Sequence, residues 1–271
     1  MSSDAERSAS ALYDTPRHVE GPEGCHFYHA TDLPGIGSVP GDWDLRATVG
    51  DYLGNVPFAG KRVLDIGSAS GFLSFEAERR GGEVVSYDLS PTDRWDAVPH
   101  SGVDLGSVDG MMREHLDSIN RAYWLSHRLN GSRARLARGT VYAIPDAVGP
   151  VDVAIFGAIL LHLRDPFRAL HSGLRLTRET VVVTDLLPGR YRWLRHVGRY
   201  LGAPMFFVPR STRKERFDTW WIIPPETVCE MLRVLGFEDL RVAYHLHPFR
   251  GSPRLTYTVV GRRTGPASDR I

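Results

Sequence analysis

The stretch that decides the fold is Arg62-Val63-Leu64-Asp65-Ile66-Gly67-Ser68-Ala69-Ser70-Gly71, with a helical pattern directly behind it. Its first five residues predict a short buried strand, and residues 72–80 predict a helix that Gly81-Gly82 ends. The small residues in between let the backbone approach a ligand closely, at the strand end where α/β folds bind cofactors. The segment therefore predicts a strand, turn and helix unit with a ligand site at the turn.

Further apolar runs alternate with helical patterns along the chain. Strands are predicted at 83–88, 134–141, 151–156, 180–185, 240–244 and 255–261, and helices at 42–53, 112–130, 166–174 and 224–235. Alternation of this kind indicates a mostly parallel sheet with helices on both faces, and the closing helix, strand, loop, strand pattern predicts an antiparallel last strand. The predicted fold class is α/β, a Rossmann-like seven-stranded sheet.

Composition divides the chain into three predicted parts. Residues 1–41 carry repeated Pro and Gly and predict a loose N-terminal arm. Residues 42–262 form the predicted catalytic domain, whose insertions at 89–133 and 187–222 are expected to build a substrate cap together with the arm. Residues 263–271 are expected to be a flexible tail.

The overall composition excludes several classes of protein. The chain has 271 residues, a formal net charge of +1 and two cysteines, Cys25 and Cys229, that lie outside any metal-ligand spacing. A disulfide scaffold and a structural zinc site are therefore not expected. No signal peptide and no apolar run of membrane-spanning length is apparent, so we expect a cytoplasmic protein without a membrane span.

An acidic residue placed after the second strand indicates which ligand the turn binds. Asp88 follows Gly67 by 21 residues, where a carboxylate can accept hydrogen bonds from both ribose hydroxyls of an adenosine. NAD or FAD would require Gly-x-Gly-x-x-Gly to seat a pyrophosphate, whereas this chain has Asp-x-Gly-x-Ala-x-Gly, with Ala69 at the middle position. The alternative is a plain tight turn beside a solvated aspartate.

The motif resembles the S-adenosylmethionine (SAM) binding motif of class I methyltransferases. A second segment, residues 156–166, together with Trp220-Trp221, Pro224 and residues 231–237, resembles the family containing the tRNA wobble-uridine methyltransferase that builds 5-oxyacetic acid groups. The resemblance covers roughly 60–260 and implies SAM as the cofactor. Those tRNA enzymes have a Tyr that helps to hold carboxy-SAM where this chain has Leu161, so ordinary SAM is expected here.

The resemblance also implies positions for the cofactor-binding residues. Asp65, Gly67 and Gly71 would line the methionine end, residues 140–142 would flank the adenine, and Phe156 would lie beside the sulfonium. The expected cofactor-binding set is Asp65, Gly67, Ser68, Gly71, Asp88, Leu89, Val141, Tyr142 and Phe156.

His162 is the candidate catalytic base. Methyl transfer to a hydroxyl requires removal of a proton, and imidazole is suited to that work near neutral pH. The alternative is a histidine that merely shapes the pocket floor. Asp165-Pro166 is expected to cap a helix. His245-x-His247 lacks an acidic partner, so no metal site is expected.

A basic insertion is the last sequence signal that bears on function. Residues 190–216 hold seven arginines and Lys214 against one acid, Glu215, and helical spacing separates Arg192, Arg195 and Arg199 from an apolar stripe. The segment is either a lid for an anionic acceptor or a solvated face, and a homodimer surface is left open.

Together these signals predict an enzyme, a SAM-dependent methyltransferase that methylates an oxygen of a small molecule such as a sugar or natural product. An RNA (tRNA) methyltransferase is the alternative, although the near-zero net charge makes nucleic acid the weaker candidate partner. A SAM-binding scaffold without catalysis is the alternative from another class.

Overall fold

The computed structural model describes residues 12–90, 92–191, 193 and 202–266. Its strands in chain order are β1 Thr31–Leu33, β2 Gly37–Val39, β3 Arg62–Ile66, β4 Glu83–Asp88, β5 Arg135–Arg138, β6 Val151–Gly157, β7 Thr177–Leu186, β8 Phe206–Phe207, β9 Trp221–Ile222, β10 Phe237–Phe249 and β11 Ser252–Arg263. Its α-helices are α1 Val49–Tyr52, α2 Phe72–Arg79, α3 Leu105–Leu129, α4 Pro166–Leu174 and α5 Pro225–Val234. Among the described residues, no helix is long and apolar enough to cross a membrane.

The central sheet has seven strands in the order β10-β11-β7-β6-β3-β4-β5. The five strands from β7 to β5 pair in parallel, while β11 pairs antiparallel with both β7 and β10. The predicted Rossmann-like fold with an antiparallel last strand is confirmed. The parallel order brings the carboxyl ends of β3, β4 and β6 to one edge of the sheet, where the site lies.

Alternate residues of the buried strands face two separate hydrophobic layers. Leu64 and Ile66 of β3 pack into the layer that contains Leu170 of α4, whereas Val63 packs into the layer that contains Leu73 of α2. Period-two alternation of this kind is what a strand buried on both faces requires. The start of α4 also follows the prediction, since the Asp165 carboxylate accepts a hydrogen bond from the amide of Arg168 at 3.0 Å.

Several predicted boundaries were wrong for identifiable reasons. The helix predicted from Asp42 begins only at Val49, because Trp43 forms a bridge with the arm and Asp42 pairs with Arg250. The strand predicted at 134–141 ends at Arg138, and residues 141–143 form a 3₁₀ turn. Strands β10 and β11 are longer than predicted, because they continue to pair with each other up to the turn at 250–251.

The N-terminal arm was predicted to be loose, but its described residues are packed. Strands β1 and β2 form a hairpin, and Phe27 and Leu33 are buried in a third apolar cluster against Trp124 of α3. Burial of these side chains stabilises the arm on the domain despite its Pro and Gly content. The arm thus becomes part of the site's surroundings.

Candidate active site

A cavity of about 450 Å³ lies at the carboxyl edge of the sheet. It is bounded by the turn after β3, the end of β4, the segment after β6, the helix α3 and the N-terminal arm. Of the residues expected from the sequence, those that line it are Gly67, Ser68, Asp88, Leu89, Val141, Tyr142 and His162. The topology therefore gathers most of the predicted site around one cavity.

The turn after β3 has the conformation that its small residues permit. Gly67 has φ of +78°, and a Cβ there would come within 2.6 Å of Ile159, so only glycine fits without displacement. Ala69 also has a positive φ, +47°, which is unfavourable for a residue with a side chain. Its amide donates a 2.6 Å hydrogen bond to Asp88 Oδ2, and this contact offsets part of the strain.

Asp88 holds the turn through one carboxylate oxygen, Oδ2. Oδ2 accepts from the Ala69 amide, and Oδ1 accepts from the amide of Leu89 at 2.7 Å. Burial raises the pKa of this carboxyl, while Arg138 and these hydrogen bonds oppose the rise. Oδ2 also accepts from the Ser68 hydroxyl at 3.4 Å, whereas Oδ1 keeps a further lone pair, so the carboxylate in the cavity wall can still accept a hydrogen bond from a ligand's hydroxyl group.

Three expected cofactor residues lie behind the cavity wall instead of in it. Gly71 begins α2 with φ of +85° and packs on Phe75. Phe156 is fully buried in the core. Asp65 is also fully buried.

Asp65 ends a chain of buried hydroxyl groups. Tyr123 donates to Ser86 at 2.9 Å, Ser86 to Ser74 at 2.7 Å, and Ser74 to Asp65 Oδ2 at 2.6 Å. Desolvation raises the pKa of Asp65 to about 7 despite the Ser74 bond. This network fixes β3, β4 and the helices behind the turn, which is a structural role.

The expected adenine end of the cavity is formed by the 3₁₀ turn after β5. Val141 and Tyr142 line it, and the Tyr142 hydroxyl donates a hydrogen bond to Asp96, which also accepts from the amide of Arg164 at 2.8 Å. Burial raises the pKa of Tyr142 above its ordinary value, and the hydrogen bond with Asp96 adds to the rise. The ring of Tyr142 is therefore held in one orientation beside the cavity.

His162 has the arrangement expected of a general base. Its Nδ1 lies in hydrogen-bond contact with the backbone carbonyl of Asp218, and a carbonyl can only accept. In the neutral imidazole the single proton is therefore on Nδ1 and the Nε2 lone pair is available, and His162 lines the cavity. By contrast, the neighbouring Leu161 does not line it; its carbonyl accepts from the Trp220 amide at 2.8 Å.

The arm and the insertions bring to the cavity further residues that the sequence motifs did not indicate. From the arm region these are His26, Tyr28, His29 and Asp42, and from the insertions they include Trp95, Asp96, Met112, Phe217 and Asp218. A cluster of polar and aromatic residues in a Pro- and Gly-rich arm was the available signal. Its use required knowing that the arm folds back over the turn.

The charged residues around the cavity are mainly acidic. Among the described residues, its wall contains five carboxylates, of Asp42, Asp88, Asp96, Glu215 and Asp218, and two guanidinium groups. Both arginines are paired with acids, Arg94 with Asp109 at 3.3 Å and Arg250 with Asp42 at 2.7 Å. Such a wall favours a cationic or neutral ligand over an anionic one.

Two further histidines singled out by the sequence, His245 and His247, do not line the cavity. His245 and His247 lie on β10, and among the described residues no group of three or more His, Cys, Asp or Glu side chains is placed to hold a metal ion. The lid arginines Arg192, Arg195 and Arg199 lie outside the described residues, so the lid hypothesis stays a prediction.

A buried acid near the site gives a testable pH effect. Asp185, at the end of β7, is buried, and desolvation raises its pKa to about 7 from an ordinary 3.8; Oδ2 has no hydrogen-bond partner among the described residues. Between these pH values the folded chain binds a proton that the unfolded chain has lost, so stability falls as pH rises from about 4 to 7. Asp185→Asn should therefore raise the melting temperature at pH 8 and change it little at pH 4.5.

Thermal melts of the parent and the variant at both pH values test this expectation. Asp239→Asn is the control, because Asp239 is exposed on β10 and its replacement should shift neither melt. A gain from Asp185→Asn of equal size at the two pH values would contradict a titration origin.

Comparisons with known proteins bear on the fold. No family model and no curated protein matches the chain. Among solved structures, the chain is similar to EvdMO1, with a TM-score of 0.52 at 13% identity over 96% of this chain and 47% of that one. It also resembles the N-terminal domain of EvdMO1 crystallised in the presence of S-adenosylhomocysteine (SAH) and D-fucose, with a TM-score of 0.48 and 14% sequence identity over 96% of both chains.

Magnesium protoporphyrin IX methyltransferase from Synechocystis PCC 6803, solved with SAH, is similar at a TM-score of 0.48 and 12% identity over 81% of this chain and 82% of that one. At such identities a likeness is evidence of fold alone. The chain has a Rossmann-like α/β fold with a seven-stranded sheet.

Proposed function

We propose that this chain is a SAM-dependent methyltransferase that acts on an oxygen of a small molecule. The observation that carries the proposal is the placement of Asp88. Its carboxylate holds the turn after β3 and lines a cavity at the carboxyl edge of a parallel sheet. An acid at this position accepts hydrogen bonds from the ribose of an adenosine ligand.

The charge of the wall supports SAM over a dinucleotide as that adenosine ligand. SAM carries a sulfonium cation and no phosphate, and the wall has more carboxylates than guanidinium groups. The pyrophosphate of NAD would be repelled by such a wall. Val141 and Tyr142 would flank the adenine, Asp88 the ribose, and Gly67 and Ser68 the amino-acid side.

The donor is proposed to be SAM and not carboxy-SAM. An extra carboxylate needs a cationic or hydrogen-bonding partner, and the two guanidinium groups in the described wall, of Arg94 and Arg250, are already paired with acids. Leu161 offers no polar atom on its side chain. A product mass that corresponds to methyl instead of carboxymethyl transfer is expected.

SAM supplies the electrophilic methyl group when it is bound. The chain's own residues must then align the acceptor, exclude water and take up the acceptor's proton. His162 is the proposed base, because its Nδ1 is fixed on the Asp218 carbonyl and its Nε2 is left open. The surrounding aromatic residues, among them Trp95 and Phe217, would shield the reaction from water.

The acceptor is proposed to be small and without negative charge. The acidic wall favours a neutral acceptor, such as a hydroxyl group on a sugar or another natural product. An RNA acceptor has one observation in its favour: the segment 210–216 exposes Arg210, Arg213, Lys214 and Arg216. A cytoplasmic location and a homodimer stay predictions.

Binding and transfer assays test the proposal in two steps. Calorimetry with SAM, SAH and NAD should show binding of the first two and not of NAD. A screen of acceptors with methyl-labelled SAM, with bulk tRNA included, then identifies the substrate class. Tight NAD binding without SAM binding would overturn the proposal, and SAM binding without any transfer would favour the non-catalytic scaffold.

Salt dependence separates the small acceptor from RNA. Binding to RNA weakens with added salt by roughly one unit of log–log slope for each phosphate contact. We expect the acceptor KM to vary with salt by a slope well below one, because an uncharged ligand makes no phosphate contacts. The charge-removing variant Arg213→Gln should leave this KM unchanged. A steep salt slope that Arg213→Gln reduces would identify RNA as the acceptor.

A further inference from the structure

We propose that the arm segment, residues 26–29, forms one wall of the donor site and holds the amino-acid end of the bound cofactor. This inference rests on the proposed function, because it assigns a part of the same donor. The resemblance to methyltransferase motifs places all expected cofactor contacts between residues 65 and 156. The arm segment lies outside that range and still lines the cavity through His26, Tyr28 and His29.

Hydrogen bonds fix the arm segment on both sides. On one side its backbone pairs with that of Trp43. The Ala30 amide donates to the Trp43 carbonyl at 2.7 Å, and the Trp43 amide donates to the Tyr28 carbonyl at 3.0 Å. On the other side the Tyr28 amide donates to the Ser70 hydroxyl at 3.2 Å. The segment is therefore tied directly to the turn after β3.

The attachment point determines which end of the donor the arm segment meets. Asp88, the residue proposed to bind the ribose, accepts a hydrogen bond from Ala69 on one side of the turn. The arm is bonded to Ser70, and the His29 ring stacks on Phe72 with centroids 5.2 Å apart. A ligand whose ribose lies at Asp88 and whose adenine lies at Val141 therefore extends its remaining end, the amino acid, toward the arm.

The side chains of the arm segment are suited to that end. His29 is 6% exposed, and its Nδ1 has no hydrogen-bond partner among the residues described. A buried polar atom without a partner in a cavity wall indicates a ligand or water contact. Burial lowers the pKa of His29 to about 3, so the imidazole is neutral.

Tyr28 adds a hydrogen-bond donor. Burial, and then the negative charges of Asp42 and Asp218, raise its pKa to about 12, so the phenol keeps its proton. The amino-acid end of SAM carries a carboxylate as well as an ammonium group. A neutral phenol and a neutral imidazole can hydrogen-bond that end without adding charge beside the sulfonium.

Gly41 provides a way to move the arm segment without changing a lining side chain. A Cβ on Gly41 would lie 2.3 Å from backbone atoms of both His29 and Ala30, so Gly41→Ala must displace that backbone. Gly110→Ala is a matched control, because a Cβ on this helical glycine meets nothing within 4 Å. Tyr28→Ala and Ser70→Ala remove the lining group and the tie to the turn.

The test compares two ligands by calorimetry on the full chain: SAH, and 5′-methylthioadenosine, which has the same nucleoside but no amino-acid end. We expect Gly41→Ala and Tyr28→Ala to weaken SAH binding by about 10-fold or more and to change 5′-methylthioadenosine binding by less than about twofold. Ser70→Ala should follow the same pattern with a smaller loss. Gly110→Ala should bind both ligands as the parent does, and melting temperatures show which variants stay folded.

The outcomes separate the inference from the proposed function. Equal losses for the two ligands, or no loss in Tyr28→Ala and Ser70→Ala, would overturn the arm's role while SAH binding by the parent keeps the proposed function. A parent that binds neither ligand would overturn the proposed function and the inference with it. Amide exchange over residues 26–30 gives a second readout, which SAH should slow and 5′-methylthioadenosine should not.

Discussion

His162→Ala is expected to lower kcat for methyl transfer by about 100-fold or more while SAM affinity stays near the parental value. The reason is the fixed tautomer, because the Asp218 carbonyl holds the Nδ1 proton and leaves Nε2 to accept the acceptor's proton. Transfer of labelled methyl to the acceptor found in the screen measures kcat, and calorimetry measures the affinity for SAM. A base should also give kcat a rising pH profile that the variant lacks.

His18→Ala is the control for this variant. His18 is exposed on the arm, so its loss should change neither kcat nor the melting temperature. If His162 only shaped the pocket floor, the variant would lose thermal stability while kcat fell by a few fold. That result would leave the proton to another group in the wall.

Asp88→Ala is expected to weaken SAM binding by about 10- to 100-fold, since charge-assisted hydrogen bonds are worth about 1.5–3 kcal/mol each. The variant also leaves the amides of Ala69 and Leu89 without their acceptor, so the turn should lose some rigidity. Asp88→Asn can still accept at one oxygen and should show a smaller loss. Calorimetry with SAM and with 5′-methylthioadenosine should give parallel losses, because both ligands contain the ribose.

An exposed acid gives the reference for the loss at Asp88. Asp239→Ala removes the same charge from the chain, but Asp239 is exposed near the start of β10 and does not line the cavity, so SAM affinity should not change. Equal effects of the two substitutions would point to net charge instead of a ribose contact. Unchanged SAM binding in Asp88→Ala would remove the observation on which the proposed function rests.

The sequence by itself determined the sheet and the turn at its edge. Local patterns carried this information, because a strand buried on both faces has an apolar run of residues. Glycine is required at position 67, because the backbone has a positive φ there and a Cβ would collide with Ile159. Asp88 and His162 could be proposed in the same way, since Asp88 is the last residue of β4 and His162 lies in the short segment after β6.

Only the tertiary structure decided how the arm packs, where some helices and strands begin and end, and which side chains line the cavity. The sequence predicts a helix from Asp42, but Asp42 instead pairs with Arg250 and His26, which lie 208 and 16 residues away, and no local pattern indicates such pairs. Phe156 was assigned to the cofactor, yet it is fully buried behind the wall, because residues in a buried strand alternate between layers that the sequence does not label. Local sequence patterns indicate the strands, whereas long-range packing decides which side chains finally face the cavity.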